Sequence, residues 1–341
     1  MRYEWAVTFP RMNTMNKLSV FLLVLNLLSA LPAAAKDRVV YEGKDGPGKG
    51  KHIVLLAGDE EYRSEESLPQ FGKILSQRHG FTCTVLFSQD ADGTVDPNNQ
   101  TNVPGLSLLA SADLVINQFR FRELPDADMK HFVDYMNSGK PMIVIRTATH
   151  PFNYTRNKQS PYARFSFDAK GGGWGGLTIG ETWTYHHGDH GTEATRGLVD
   201  GKHRQHPILR SVNDVFGPTD VYGVNPDFPS DAVVLMHGQV LKGLKPDDPP
   251  NLTKAIMPIV WLRDYKGESG KTSKLLTSTI GAAVDMQSED LRRLIVNACY
   301  WLTGLEVPKK ADVTPVGEFN PTYFGGNKFK KGVKVADHEL K

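Results

Sequence analysis

The chain has 341 residues, 40% hydrophobic and 23% charged, with a formal net charge of +2, a globular composition that suits one α/β domain or two smaller ones. No long basic run accompanies that charge, so nothing points to nucleic acid, and the mildly basic stretch Lys328–Lys334 reads as a solvated tail. The two cysteines, Cys83 and Cys299, read as buried free thiols; sequence alone does not decide whether they pair.

Residues 1–35 read as an export signal. Lys17 precedes the apolar run Leu18–Leu31, and Pro32-Ala-Ala-Ala35 supplies small residues for cleavage before charge resumes at Lys36. The run is short for a membrane span, although an uncleaved anchor stays open, and Met15 offers a second start with a compact basic segment. The expected product is periplasmic or extracellular, with no stable span after cleavage.

A Gly-rich leader, 36–50, comes next, followed by a domain over 51–307 and a C-terminal tail over 308–341. Ile53–Ala57 is a continuous apolar run, as a strand buried on both faces requires. Ser64–Arg78 places Leu68, Phe71, Ile74 and Leu75 on one helical face, with Glu65 and Glu66 at its start and Gly80 at its stop. Strands follow at Phe81–Phe87, Asp113–Asn117 and Pro141–Ile145, with a short helix at Leu106–Ala110 and a longer one at Pro125–Asn137. This alternation predicts right-handed βαβ units and a parallel sheet.

From Arg146 to about Pro229 the periodicity breaks into a long stretch rich in His, Gly and aromatics, including Trp174 and Trp183. Long inserts in compact domains usually carry function or are disordered, and this aromatic content argues against disorder. Strands resume at Ala232–Met236, Met257–Leu262 and Lys274–Ile280, and a helix closes the domain over Gln287–Thr303. In such sheets ligands bind beyond the carboxyl ends of the strands. The segments Gly58–Tyr62, Asn117–Arg120 and the insert are therefore expected to share one cleft.

The densest cluster of reactive side chains is Tyr185-His-His-Gly-Asp-His-Gly191. Imidazoles and a carboxylate are ligands for zinc or a similar divalent ion, which makes His186, His187, Asp189 and His190 metal candidates. The spacing matches no specific metal motif, so a polar loop bonding backbone and ligand hydroxyls stays open, as does acid/base work by one histidine. Asp59, Glu60 and Glu61, at the tip of the first strand, can bind a hydroxyl, act as a base or simply favour the next helix start. After the fourth strand, Arg146-Thr-Ala-Thr-His150 occupies the place of a nucleophile elbow but carries neither cysteine nor serine. Thr147 or Thr149, with His150 as base, is a nucleophile candidate there, while Arg146 suits a buried ion pair or an anionic or hydroxyl-rich ligand. Asp220 and Tyr222 are further cleft candidates.

The ordered set Ile53-Val-Leu-Leu-Ala-Gly58, Glu60-Glu-Tyr62, Leu68-Pro69, the Trp/His-rich insert, His206-Pro-Ile-Leu-Arg210, Gly217-Pro-Thr-Asp-Val-Tyr222, Pro258-Ile-Val-Trp261 and Asn297-Ala-Cys-Tyr-Trp301 resembles the trehalose-utilisation (ThuA-like) family, especially its exported bacterial branch. The resemblance implies a class I glutamine amidotransferase-like fold, a flavodoxin-like parallel sheet between helices, and a role in carbohydrate utilisation. Two departures matter. The amidotransferase cysteine is missing from the elbow, which excludes glutaminase activity, and Ala282-Ala283 stand where relatives often have a histidine after the last strand.

The expectation is thus an exported hydrolase or isomerase acting on a small sugar or keto-sugar. His150, His187 and Glu60 are its catalytic candidates, and Asp59, Arg146, Trp183, Asp220 and Tyr222 its substrate contacts. A divalent metal is compatible with the site, no nucleotide cofactor is expected, and nothing in the chain sets an oligomeric state. The competing expectation is a non-catalytic carbohydrate-binding protein on the same fold.

Overall fold

The apolar runs expected as buried strands are strands in the computed structural model, which describes residues 1–6, 8 and 36–340. The apolar run and small-residue end of the expected export signal lie outside the described residues. Among the described residues no helix is long and apolar enough to cross a membrane.

From Lys36 the chain forms one compact unit. Its strands are β1 (Arg38–Tyr41), β2 (His52–Gly58), β3 (Thr82–Phe87), β4 (Leu114–Phe119), β5 (Met142–Ile145), β6 (Thr195–Val199), β7 (Val215–Gly217), β8 (Val233–Val240), β9 (Met257–Lys266) and β10 (Thr272–Ser278). Among the described residues these form a single ten-stranded sheet in the order β1-β3-β2-β4-β5-β10-β9-β8-β6-β7. The five strands from β3 to β10 in that order run parallel. β1 on one side and β9, β8, β6 and β7 on the other are antiparallel to their neighbours. The fold is therefore mixed α/β, with a parallel centre and antiparallel flanks.

Helices α1 (Ser64–His79), α2 (Asp126–Met136), the short α3 (Gly173–Thr178) and α4 (Glu289–Leu302) cover the centre. The alternation of β2 decides which face each meets. Ile53 and Leu55 pack in one core with Leu68, Phe71 and Leu75 of α1 and Leu291, Leu294 and Ile295 of α4. Val54 and Leu56 pack in the other with Met129 and Phe132 of α2 and Trp174 of α3. Both faces are covered, so each central strand reads as an unbroken apolar run. Gly80, left-handed at φ 81°, ends α1 as its position suggested.

Three strands escape the sequence patterns. β1 lies in the Gly-rich leader, and β6 and β7 lie in the insert; they have four, five and three residues, too few to show a period. The insert is thus not wholly irregular: it extends the sheet and sends Trp174 into the core. Beyond Val307 the tail buries Ala311, Val313, Phe324 and Val335 against the unit. Cys83 and Cys299 are buried free thiols.

The connection from β2 leads to β3 on one side, and β4 lies on the other. Strand order thus reverses between β2 and β4, and the crevice beyond their carboxyl ends is where open α/β sheets bind ligands.

Trp261 of β9 is fully buried, donates its indole N–H to the Ile179 carbonyl at 3.1 Å and meets Phe228 edge-on at 5.3 Å. Trp261→Ala should lower unfolding stability by about 3–5 kcal/mol, measured by urea denaturation.

Candidate functional site

The site grows from three strand ends. At the end of β2 the buried Asp59 closes a tight turn, its Oδ1 accepting the backbone N–H groups of Glu61 at 2.8 Å and Tyr62 at 3.1 Å. Its Oδ2 accepts the Thr147 hydroxyl from the end of β5 at 2.5 Å. Asp59 therefore ties two strand ends together, with both oxygens engaged inside the protein. Glu60 meets the segment after β4, its two oxygens taking Arg120 Nη1 at 2.5 Å and Arg122 Nη2 at 2.9 Å. Arg122 is buried and donates also to Ser88 Oγ and to the Pro97 and Asn99 carbonyls.

At the end of β5 the chain turns sharply. Arg146 stands there in the left-handed region at φ 49°, a conformation that costs a non-glycine residue free energy and persists only where surroundings hold it. Those surroundings are visible. Nη1 donates to the Asp220 and Thr279 carbonyls, both at 2.7 Å, and Nη2 to Asp220 Oδ1 at 3.0 Å. The guanidinium lies over the rings of Tyr222, at 3.8 Å, and Tyr62, at 4.6 Å. The elbow position thus carries a cation rather than a nucleophile. Thr147 turns to Asp59, and the His150 ring nitrogen lies 3.0 Å from Thr149 Oγ1 instead.

Asp220 organises what faces it. His190 Nδ1 lies 2.9 Å from its Oδ1, and His186 Nδ1 2.6 Å from its Oδ2. His190 Nε2 also lies 3.3 Å from Glu61 Oε1, whose other oxygen pairs with Arg120 at 3.0 Å. Burial opposes the Asp220 charge, but Arg146 and the two imidazoles outweigh it and hold the carboxyl well below the usual range. Burial likewise pushes Glu61 up, and the hydrogen bond from His190 and the Arg120 charge bring it below its ordinary value. Hydrogen bonds to Asp220 and then Glu61 raise His190 to about 9, so it is an imidazolium at neutral pH. His150 is the opposite: burial, then the charges of Arg120 and Arg146, hold it neutral. It sits among aromatic rings, 5.0 Å from Phe121 and 5.4 Å from Trp183 between centroids.

The loop reaches Asp220 because Gly188 lets it. The Gly188 N–H donates to the Val221 carbonyl at 3.0 Å, and a Cβ there would stand 3.1 Å from Val221 N and 3.2 Å from Asp220 Cβ. His186 is fixed beside it by a bridge to Tyr222. The adjacent His187 points elsewhere, its Nε2 2.8 Å from the Ala255 carbonyl, and Asp189 pairs with Lys254 at 2.7 Å. Of the four histidine-loop candidates for a metal, the fold gathers His186 and His190 and adds Asp220; their ligand atoms lie within 4.8 Å of one another. His187 and Asp189 are not brought into that group.

Trp183 packs against His150 and edge-on against His186, both at 5.4 Å, and its indole N–H is buried without a partner. The Nε of Arg120 is unpartnered too. Buried donors left unsatisfied are uncommon and call for a partner that the chain itself does not supply. Beneath the site, Asp285 accepts the Thr219 hydroxyl at 2.7 Å and the Gly281 and Ala282 N–H groups at 2.9 and 2.8 Å. It fixes the segment bearing Asp220 to the turn after β10. Arg120 lies in a segment expected at the cleft but without a role of its own, and Arg122 and Asp285 escaped sequence reasoning. The two arginines had one signal, an Arg-x-Arg pair just past a strand end with acids just past the neighbouring one.

Known families and proteins place few bounds on this arrangement. No family model matches the chain, and no curated protein does. Among solved structures, one described as a ThuA-like protein from Parabacteroides merdae ATCC 43184 is 12% identical, with TM-score 0.49, over 86% of this chain and 100% of that one. The mmIFT52 N-terminal domain is 12% identical at TM-score 0.38, over 75% of this chain and 99% of that one. The exo-β-1,4-mannosidase Op5Man5 from Opitutaceae bacterium strain TAV5 is 10% identical at TM-score 0.34, over 76% of this chain and 36% of that one. At TM-scores below 0.5 these likenesses carry no argument about chemistry.

Two outcomes follow from the site's electrostatics. His190 is raised from 6.5 to about 9, so its ion-pair stabilisation is full below the lower value and is lost as pH climbs through the higher one. NMR titration of the chelator-treated protein should place the imidazole midpoint near 9, and Glu61→Gln should move it down. Arg146→Met strips Asp220 of its buried partner and should cost about 3 kcal/mol in urea denaturation, the low end for broken buried pairs because an imidazolium remains.

Proposed function

We propose that the chain is an exported ThuA-like protein that acts on a sugar or keto-sugar, with His186, His190 and Asp220 holding a divalent metal. One observation carries the reading: two imidazoles and a carboxylate converge at the crevice past the reversal of strand order, beside unpartnered donors on Trp183 and Arg120. The parallel order β3-β2-β4-β5-β10 has the 2-1-3-4-5 succession of flavodoxin-like sheets, which supports an amidotransferase-like fold. The apolar run before Lys36 supports export.

The donor set fits the ion. Two imidazoles and a carboxylate suit zinc or another first-row divalent metal, and Arg146 already orients the carboxylate as an outer partner. Such an ion supplies Lewis acidity toward a carbonyl or hydroxyl oxygen. The chain's own residues do the rest. The Trp183 ring offers a face for a sugar ring and its N–H a donor. Arg120, held between Glu60 and Glu61, orients hydroxyls. His150, held neutral by burial and by the charges of Arg120 and Arg146, packs behind the Trp183 ring and helps to position it.

A non-catalytic sugar-binding protein is the second reading, favoured by the arginine at the elbow and the engagement of both Asp59 oxygens within the fold. Elemental analysis and a keto-sugar turnover screen test both. The first reading expects about one divalent ion per chain, lost in His186→Ala/His190→Ala together with turnover. Sugar binding without turnover would favour the second. A metal-free protein whose sugar binding survives the double substitution would overturn the metal assignment.

A further inference from the structure

A cavity of about 180 Å³ lies between α1 and the C-terminal tail, lined by residues that play no part in the site above. Its polar lining is unsatisfied in an unusual way. Glu65 is 7% exposed and neither carboxyl oxygen has a hydrogen-bond partner; the Arg63 guanidinium stands 3.7 Å from Oε1. Gln70 is 5% exposed, and its amide nitrogen is likewise unpartnered. Glu66 Oε2 accepts the Thr322 N–H at 2.7 Å while Oε1 has no partner, and the His338 Nε2 has none. Unpaired buried polar atoms each cost free energy, and four side chains that carry five of them, Glu65, Glu66, Gln70 and His338, line one cavity.

The kind of atom left over says what would complete them. The Glu65 and Glu66 oxygens, when ionised, call for N–H donors, whereas the Gln70 amide, and His338 in the Nε2–H tautomer, call for an acceptor. Charges in the lining are mixed as well: Glu65, Glu66 and Glu318 face Lys73 and Lys330. Pro69 and Phe319 add an apolar wall. A single metal ion does not fit. Among the described residues the only three-residue group with ligand atoms close enough to share an ion is His186, His190 and Asp220.

We propose that this cavity binds a small zwitterion of the free amino-acid type, its ammonium on Glu65 and Glu66 and its carboxylate on Gln70 and His338. Its carbon skeleton lies on Pro69 and Phe319. Burial pushes the empty-site Glu65 carboxyl up to about 8, a penalty that an ammonium partner relieves by favouring the ionised form. The ligand sits under the tail, so its binding clamps residues around Phe319 and His338 onto α1.

Saturation-transfer NMR of the full chain against the twenty L-amino acids, followed by calorimetry on the best binder, tests this. The expected result is saturable binding that weakens at least tenfold for both the N-acetyl and the carboxamide derivative of that amino acid. Glu65→Gln and Gln70→Leu should each weaken it at least tenfold, with the melting transition showing both variants folded. His186→Ala/His190→Ala should leave binding unchanged, which separates this cavity from the sugar site. Binding by none of the twenty, or binding indifferent to both cavity substitutions, would overturn the proposal.

Discussion

The buried pair of Arg146 and Asp220 is the contact on which the candidate site depends. Both side chains are fully shielded from water, where an unpaired charge is costly and a paired one is only as good as its remaining hydrogen bonds. Here the remaining bonds are made. The guanidinium donates to two carbonyls, lies over two tyrosine rings and holds an awkward backbone conformation in place. The carboxylate also receives two imidazoles, His190 at the oxygen it shares with Arg146 and His186 at the other. Arg146 is the largest of the influences that keep a carboxylate ionised at that depth, with the two imidazoles adding to it.

From that pair outward the site divides into layers with different duties. Asp59, Glu60, Arg122 and Asp285 join strand ends to one another and have little left to offer a ligand. Above them, Glu61, His190, His186, Trp183 and Arg120 keep partial exposure or unsatisfied atoms. A charged residue at a strand tip is therefore not by itself a sign of chemistry; the distinction lies in which of its atoms remain uncommitted.

Much of the architecture was legible in the chain because its centre is buried on both sides. Runs such as Ile53–Ala57 and Met142–Ile145 can be little else than inner strands, and α1 and α4 announce themselves by apolar stripes and terminal residues. What stayed hidden is short or tertiary. β1, β6 and β7 are too brief to show a period. The histidine loop could be recognised as a cluster, but the choice between His186 and His187 rests on the bridge to Tyr222, which turns one ring inward and leaves its neighbour facing Ala255. Asp220 looked minor in sequence because its importance comes from three partners distant along the chain. The Glu60 pairing with Arg120 and Arg122 likewise exists only once β2 and β4 stand side by side.

The same brevity that hid the outermost strands shapes how this molecule meets others of its kind. A ten-stranded open sheet has two margins, each a row of backbone groups on which a foreign strand could be added. One margin is β1, four residues long, where the Tyr41 hydroxyl is fastened to the His338 carbonyl of the tail at 2.6 Å. The other is β7, three residues long, pinned where Asp285 crowds Gly217. Neither leaves a run long enough to template a neighbour, so the extended sheet is protected against edge-to-edge aggregation at the places where it would otherwise be most vulnerable.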